Sequence, residues 1–373
     1  MNKMVKGSLK ILYLGQSHGT SRHRADAMRR LGHSVELIDP WAFLPQYPFI
    51  KKVISKLAYE IGPAWLEPFV RRRLMAAINR KRFDVIWSNE CELIGANTAF
   101  LLKEYANWLV TYANDDPFGT RDKESFSLYK NSIRHYDLMA VVRQPNIDEA
   151  YAHGARKVIR VPFTADEIAH APLDLSSGEQ ARWTSEVAFV GTWMPERGPF
   201  LVRLMELGVP LILFGGLWQK AHEWPILKNI WQGPGIVGQD YVRAIQSARI
   251  CLGLLSKGNR DMSTRRSAEI PYIGSVLCAE RTGEHLAMYK EDEEAVFWDT
   301  PEECAEKCFA LLTNEKRQQR IANAGRQRCI ASGYLNEPVM KRILDVLLGE
   351  NSSAARKTGS ETTTTVLRCS NNA

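Results

Sequence analysis

Asp261-Met-Ser-Thr264-Arg265-Arg266-Ser-Ala-Glu269-Ile-Pro271-Tyr-Ile-Gly274-Ser-Val276-Leu277 is the stretch on which the fold turns. The apolar run ahead of it (Ile250, Cys251, Leu252, Leu254, Leu255) reads as a buried parallel strand, because strands covered on both faces are apolar throughout rather than alternating. Asp261 and Glu269, separated by seven residues, bracket Thr264, Arg265 and Arg266. A helical segment then ends at Gly274, and Val276 and Leu277 start another strand. Cations, carboxylates and helix-terminal amides therefore gather at the mouth of a sheet, where an open α/β domain takes a phosphorylated ligand.

Outward from this stretch, strands alternate with helices in both halves of the chain. Lys10 to Leu14 is an apolar first strand, followed by the loop Gly15 to Ser21, a helix from about Arg22 to Leu31, and a second strand from Val35 to Asp39. The loop lacks the Gly-x-Gly-x-x-Gly spacing, so a dinucleotide fingerprint is not supported. Further strands are expected at 84–88, 109–113, 137–142 and 158–161, and a second series at 186–190, 211–214, 249–254, 275–278 and 295–298. Between Pro162 and Thr184 the periodicity fails, with Pro172 and Ser176-Ser-Gly178 as breakers, so a linker falls there. Asn336 is placed to cap a last helix, with Val339, Ile343 and Leu347 at four-residue steps and Gly349 ending it. The expected units are a first domain over 1–168, a second over 185–335, a closing helix over 336–349 and a disordered tail over 350–373.

Length, 373 residues, suggests two domains, and the longest apolar stretch falls short of the roughly 20 residues needed to cross a bilayer. The start leads straight into a strand, so no signal peptide is read. Seven cysteines show no metal spacing and fit a reducing compartment, arguing against disulfides or zinc. A net charge of +7 admits nucleic acid, an anionic membrane face or a phosphorylated substrate, or simply a basic soluble enzyme. Segment 49–82 concentrates Lys51, Lys52, Lys56, Arg71 to Arg73 and Arg80 to Arg82 around apolar residues at helical spacing. It reads as two helices packed on the sheet with solvated outer faces, the reading we favour, or as contact with a membrane surface.

The pattern Thr264, Arg266, Glu269, Ile270, Pro271 and Gly274 resembles the nucleotide-sugar half of GT-B glycosyltransferases, in the spore-maturation-protein or group 1 branch. The resemblance implies two Rossmann-like parallel-sheet domains facing a cleft, with a C-terminal helix crossing back to the first domain. In that family the two spaced acids contact the donor; Glu269 falls on the second, and the shorter Asp261 on the first. The turn Gly191-Thr192-Trp-Met-Pro-Glu-Arg197-Gly198 resembles the family's pyrophosphate turn, with Thr192 in place of an arginine and Arg197 in place of a lysine. Gly15 belongs to a first loop that faces the cleft in such relatives. Gly215, after a buried strand, would let the backbone approach a ligand. Gly233-Pro-Gly235-Ile-Val-Gly238 comes where relatives form the nucleobase pocket, or else is a set of tight turns.

Asn114-Asp115-Asp116-Pro117 follows a strand, so Asp115 or Asp116 is placed to accept a proton from an acceptor hydroxyl, unless the pair merely shapes a turn. His18, in the first loop, is the other candidate on this side. The expected catalytic set is His18, Asp115, Asp116 and Asp261, and the donor set Gly15, Gly191, Arg197, Gly215, Thr264, Arg266 and Glu269. No metal and no cofactor are expected, since the resemblance implies no Asp-x-Asp clamp. The implied reaction moves sugar from a nucleoside diphosphate sugar to a glycan, lipid-linked or protein acceptor, with retention, in the cytoplasm or at the membrane's inner face, and without nucleic acid. A catalytically weak sugar-nucleotide-binding protein and an epimerase of the same fold are the alternatives.

Overall fold

In the computed structural model, which describes residues 7–349, the chain folds into two six-stranded sheets. The first comprises β1 (Lys10–Leu14), β2 (Ser34–Ile38), β3 (Phe83–Asn89), β4 (Ala106–Ala113), β5 (Leu138–Val141) and β6 (Val158–Arg160). Their spatial order is β2-β1-β3-β4-β5-β6, and every pairing is parallel. The second comprises β7 (Ser185–Val190), β8 (Leu211–Phe214), β9 (Trp231–Gly233), β10 (Ala248–Gly253), β11 (Val276–Glu280) and β12 (Val296–Trp298). It runs β12-β11-β10-β7-β8-β9, again all parallel.

Helices cover both faces, which is why the strands are apolar throughout. In β1, Ile11 and Tyr13 enter a cluster with Ala25 and Met28 of the helix Gly19–Arg30. Leu12 and Leu14 enter the opposite cluster with Leu74 and Ile78 of the helix Glu67–Ile78. Burying each such side chain stabilises by about 1.5–3 kcal/mol.

Each sheet has a point where the winding reverses: between β1 and β3 in the first, and between β7 and β10 in the second. Loops leaving these neighbours diverge, so a crevice opens at the carboxyl ends of the strands. The two crevices face one another. The last helix, Asn336–Leu348, crosses back and buries Val339, Met340, Ile343, Leu344 and Leu347 in the core of the first sheet.

Several details differ from the sequence reading. The first helix begins at Gly19, not Arg22, and this carries Thr20, Ser21 and Arg24 to the mouth of the first crevice. The segment 162–184 contains a helix, Ser177–Trp183, because Ser176 and Glu179 form a reciprocal capping box. β9 was not expected. Asn336 is not the cap: its amide donates to Asp166 (3.0 Å) and its oxygen accepts from Thr164 (2.6 Å), both buried, so Leu335 takes the cap position. Segment 49–82 does form two helices, Pro48–Ile61 and Glu67–Ile78, but large apolar side chains stand exposed on it, so its outer face is not simply polar. The tail expected to be disordered lies outside the described residues. Among the described helices, none is long and apolar enough to cross a membrane.

Candidate active site

The second crevice is built by the loops that follow β7 and β10. The loop after β7 leads into the helix Arg197–Glu206, and that after β10 into the helix Arg266–Ile273, which ends on left-handed Gly274 (φ 110°). Arg197 and Arg266 therefore stand at helix N-termini, where free amides and the helix dipole favour an anion. Both line a cavity of about 170 Å³ between the domains, together with Arg121, Arg143, Arg265, Asp115 and Asp261. Five arginines face two carboxylates there.

How each cation is held decides what it can do. Arg197 is buried and donates only to carbonyls: Thr192 (2.7 Å), Leu254 (3.0 Å) and Leu255 (3.2 and 3.0 Å). It thereby clasps the two loops of the crevice. Burial pushes its guanidinium down to about 10, and among the described residues no carboxylate lies in ion-pair range of it. Arg265 likewise has no carboxylate partner among the described residues; it reaches across the cleft to Thr20 Oγ1 at 2.9 Å. Arg266 donates to the carbonyl of Val190 (3.0 Å) and to Glu269, and lies over the Tyr241 ring at 4.6 Å. A buried cation without a counter-ion is costly unless something anionic completes it.

Glu269 does not line the cleft. Its carboxylate is buried behind Arg266, accepts from Tyr241 Oη (2.7 Å) and lies 3.7 Å from His170. Burial opposes its charge, yet Arg266, His170, Arg265 and Tyr241 together hold it down at about 2. The residue expected to reach the donor is here held against Arg266, Tyr241 and His170. Asp261 does line the cleft, but its carboxylate accepts from Arg143 Nε (2.8 Å) and Nη2 (2.6 Å), a buried pair joining the two domains. Burial raises its carboxyl, and Arg143 offsets only part of that.

Thr264 and Gly191 line the cleft as expected. Gly215 does not: a Cβ there would sit 1.8 Å from the Gly191 carbonyl oxygen, so the glycine permits the close contact between two loops. Gly233, Gly235 and Gly238 line neither this cavity nor the next. Gly15 lies in the first domain's crevice, and His18 is exposed and lines neither space.

That first crevice is a cavity of about 260 Å³, lined by Gly15, Thr20, Ser21, Arg24, Glu90, Glu92, Asp115 and Arg265 among others. Asp115 and Arg265 belong to both spaces and mark where they meet. Asp116 belongs to neither: it accepts from Arg260 (2.6 and 2.8 Å) and Asn146 (2.9 Å). Burial works against its charge, but those bonds prevail and hold its carboxyl below the usual range. Of the adjacent pair, only Asp115 faces the cleft. Its neighbour Glu92 is pushed up to about 7 by burial, and then by the nearby Asp115 and Asp122. Arg24 lies buried at the cavity wall, bonded to the side-chain oxygens of Asn89 (3.2 Å) and Asn114 (2.6 Å), with its Nε unpartnered.

Arg24, Glu90, Glu92 and Arg143 escaped the sequence reading, and Arg265, named there only as part of the cation cluster, proves to reach across the cleft. Arg143 and Glu90 each follow a strand's last residues closely, and that position was the available signal. A third space, of about 530 Å³, opens beside the crossover helix, but it lies off both winding reversals and its Arg160 is tied to Glu284. Among the described residues, one group has metal-ligand proximity: Cys278, Cys304 and Cys308, whose sulfurs lie within 4.8 Å of one another. Sequence spacing did not show it, and it sits in the apolar core behind β11, away from the cleft.

Residues 197–345 match the family model described as glycosyl transferase-like. The chain has the GT-B glycosyltransferase fold. Sucrose-phosphate synthase of Thermosynechococcus elongatus is 12% identical, with a TM-score of 0.63 over 92% of this chain and 100% of that one. HepE of Anabaena, in complex with UDP-glucose, is 13% identical, with a TM-score of 0.64 over 91% and 100%. An alpha-glucosyltransferase in complex with UDP-glucose and DNA containing an abasic site is 12% identical, with a TM-score of 0.62 over 91% and 100%. No curated protein sequence matches the chain. The family model covers most of the second sheet and of the closing helix, and the similar structures share the fold of the whole chain.

Proposed function

We propose that this chain transfers a sugar from a nucleoside diphosphate sugar to an acceptor hydroxyl, with the diphosphate in the second crevice and the acceptor in the first. The observation that carries the reading is the cation excess at the junction of the two crevices, where Arg197 and Arg265 have no carboxylate partner among the described residues. A leaving nucleoside diphosphate gains negative charge as the sugar bond breaks. Fixed arginines and helix-terminal amides therefore favour the transition state over the ground state. Two of the similar structures hold UDP-glucose, which supports a uridine nucleotide as the first donor to try.

In this reading Arg265 and Arg266 contact the diphosphate, Arg197 fixes the loop around it, and Asp115 meets the acceptor. Retention follows from the resemblance of the spaced acids, and no metal is required when arginines balance the charge. The acceptor is a glycan, a lipid-linked sugar or a protein; one similar structure holds DNA, so nucleic acid belongs in the acceptor screen. A cytoplasmic setting and a part in cell-surface glycan assembly belong to the same proposal. Incubation with UDP-sugars, with and without acceptors, tests it. Acceptor-dependent release of nucleotide supports transfer, conversion of the donor alone supports an epimerase, and binding without either supports a sugar-nucleotide-binding protein.

A further inference from the structure

The helix Pro48–Ile61 buries little of itself. Ala58 packs inward and Ile54 leans on a small cluster with Leu44, Leu66, Val70 and Leu93. Its other apolar residues, Phe49, Ile50, Val53, Leu57 and Ile61, fall within about 120° of arc at 3.6 residues per turn. All five are exposed, Phe49 at 78% and Ile61 at 68%. Tyr47 at the helix start, Trp65 in the short turn Ala64–Leu66 between the two helices and Phe69 in the first turn of the next helix are exposed as well. Scattered single apolar residues on a surface need no explanation, but a continuous patch of this kind does.

The charges around it say what covers it. Lys51, Lys52, Lys56, Arg71, Arg72 and Arg73 lie on these helices, and among the described residues none has a carboxylate in ion-pair range. Of the two acids nearby, Glu60 is bound to Lys123 (2.5 Å), and Glu67 is buried and accepts from Thr98 (2.8 Å). A second copy of this chain would bring like charges together. An anionic bilayer offers acyl chains to the apolar arc and headgroup phosphates to the flanking cations, whose long stems reach up from the arc's edge.

We propose that the helix pair 48–78 seats the chain on an anionic lipid surface. The same small cluster that receives Ile54 also packs Trp41, which lines the first crevice, so the seated face and that cavity share one lobe. Joined to the transfer reading, this geometry favours a lipid-carried acceptor; that consequence rests on the reading, whereas the membrane contact does not.

Flotation with phosphatidylcholine vesicles, with and without phosphatidylglycerol, is the test. The chain should float with the anionic vesicles, and less so as salt rises. Replacing Lys51, Lys52 and Lys56 together by Gln should lower that partition about 10²-fold, at about fivefold per cation lost. Phe49→Ser with Ile61→Ser should lower it at least tenfold, and since both sites are exposed the melting temperature should not move. Equal flotation with neutral and anionic vesicles, or binding that survives both variants, would overturn the proposal. So would a dimer in solution that the double serine variant dissociates, because a second copy would then own the face. Nucleotide affinity measured on the same variants keeps the two questions apart: it should be unchanged whether or not the transfer reading holds.

Discussion

Glu269→Gln separates a positioning acid from a donor-binding one. In the folded chain the Glu269 carboxyl falls from its ordinary 4.5 to about 2, because Arg266, His170, Arg265 and Tyr241 outweigh the burial that opposes its charge. That difference corresponds to about 3 kcal/mol of folding stability. The folded value is depressed, so the contribution is fully present above the unfolded value of 4.5 and fades as the pH falls towards about 2. Glutamine keeps the shape, removes the charge and leaves Arg266 without its anion. The variant should therefore be less stable than the parent by about 3 kcal/mol at pH 7, at the lower end of the range for a broken buried pair. The two stability curves should converge as pH falls from 5 towards 3. Urea titrations across that range, with fixed salt and no nucleotide, measure it. Curves that stay parallel down to pH 3 would refute the reasoning, since the charge on Glu269 would then carry none of the difference. A donor titration adds the functional half: effects of Glu269→Gln and Arg266→Met on donor KM should be non-additive, because one residue acts through the other.

Asp261→Asn removes the charge from the buried pair with Arg143 that joins the domains; because burial holds this carboxyl above its ordinary value, the substitution should cost less stability than Glu269→Gln in the same urea assay. Asp115→Asn should cut turnover while leaving nucleotide affinity by calorimetry nearly intact. Asp116→Asn, which leaves Arg260 with Glu149 as its one carboxylate partner rather than touching the cleft, should instead lower the melting temperature. Gly215→Ala should lower it strongly too, because the added carbon meets the Gly191 carbonyl oxygen at 1.8 Å and cannot be accommodated without moving a loop.

The architecture was legible where physics acts locally. Runs such as Ile11 to Leu14 and Ile250 to Leu252 are buried on both faces, and that leaves a mark in sequence. β9 left none, being three residues long and ending in glycine. The helix Ser177–Trp183 is hidden because Ser176, Ser177 and Gly178 look like breakers, and only Glu179, three residues on, marks Ser176 as a cap. The cleft was legible only in part. Arg197 and Arg266 open helices that follow strands, as motif spacing suggested, and Thr264 and Asp115 stand on loops after strands. Partners are another matter. Arg143 and Asp261 are far apart in sequence, as are Arg265 and Thr20, and only the meeting of two domains brings them together. Glu269 shows the limit most plainly: spacing located it beside the donor's arginine, but which way a buried carboxylate turns depends on Tyr241 and His170, and no local pattern encodes that.

Calorimetric titration of UDP into the parent chain, Arg266→Ala and Arg24→Ala tests the central claim most directly. The two arginines line different crevices, one after β7 and β10 and the other after β1 and β3. If the diphosphate sits in the second crevice, Arg266→Ala should weaken UDP by about 1.5–3 kcal/mol, the usual loss for a hydrogen bond to a charged group, and Arg24→Ala should leave it unchanged. Binding abolished by Arg24→Ala and untouched by Arg266→Ala would put the nucleotide in the first domain and contradict the account.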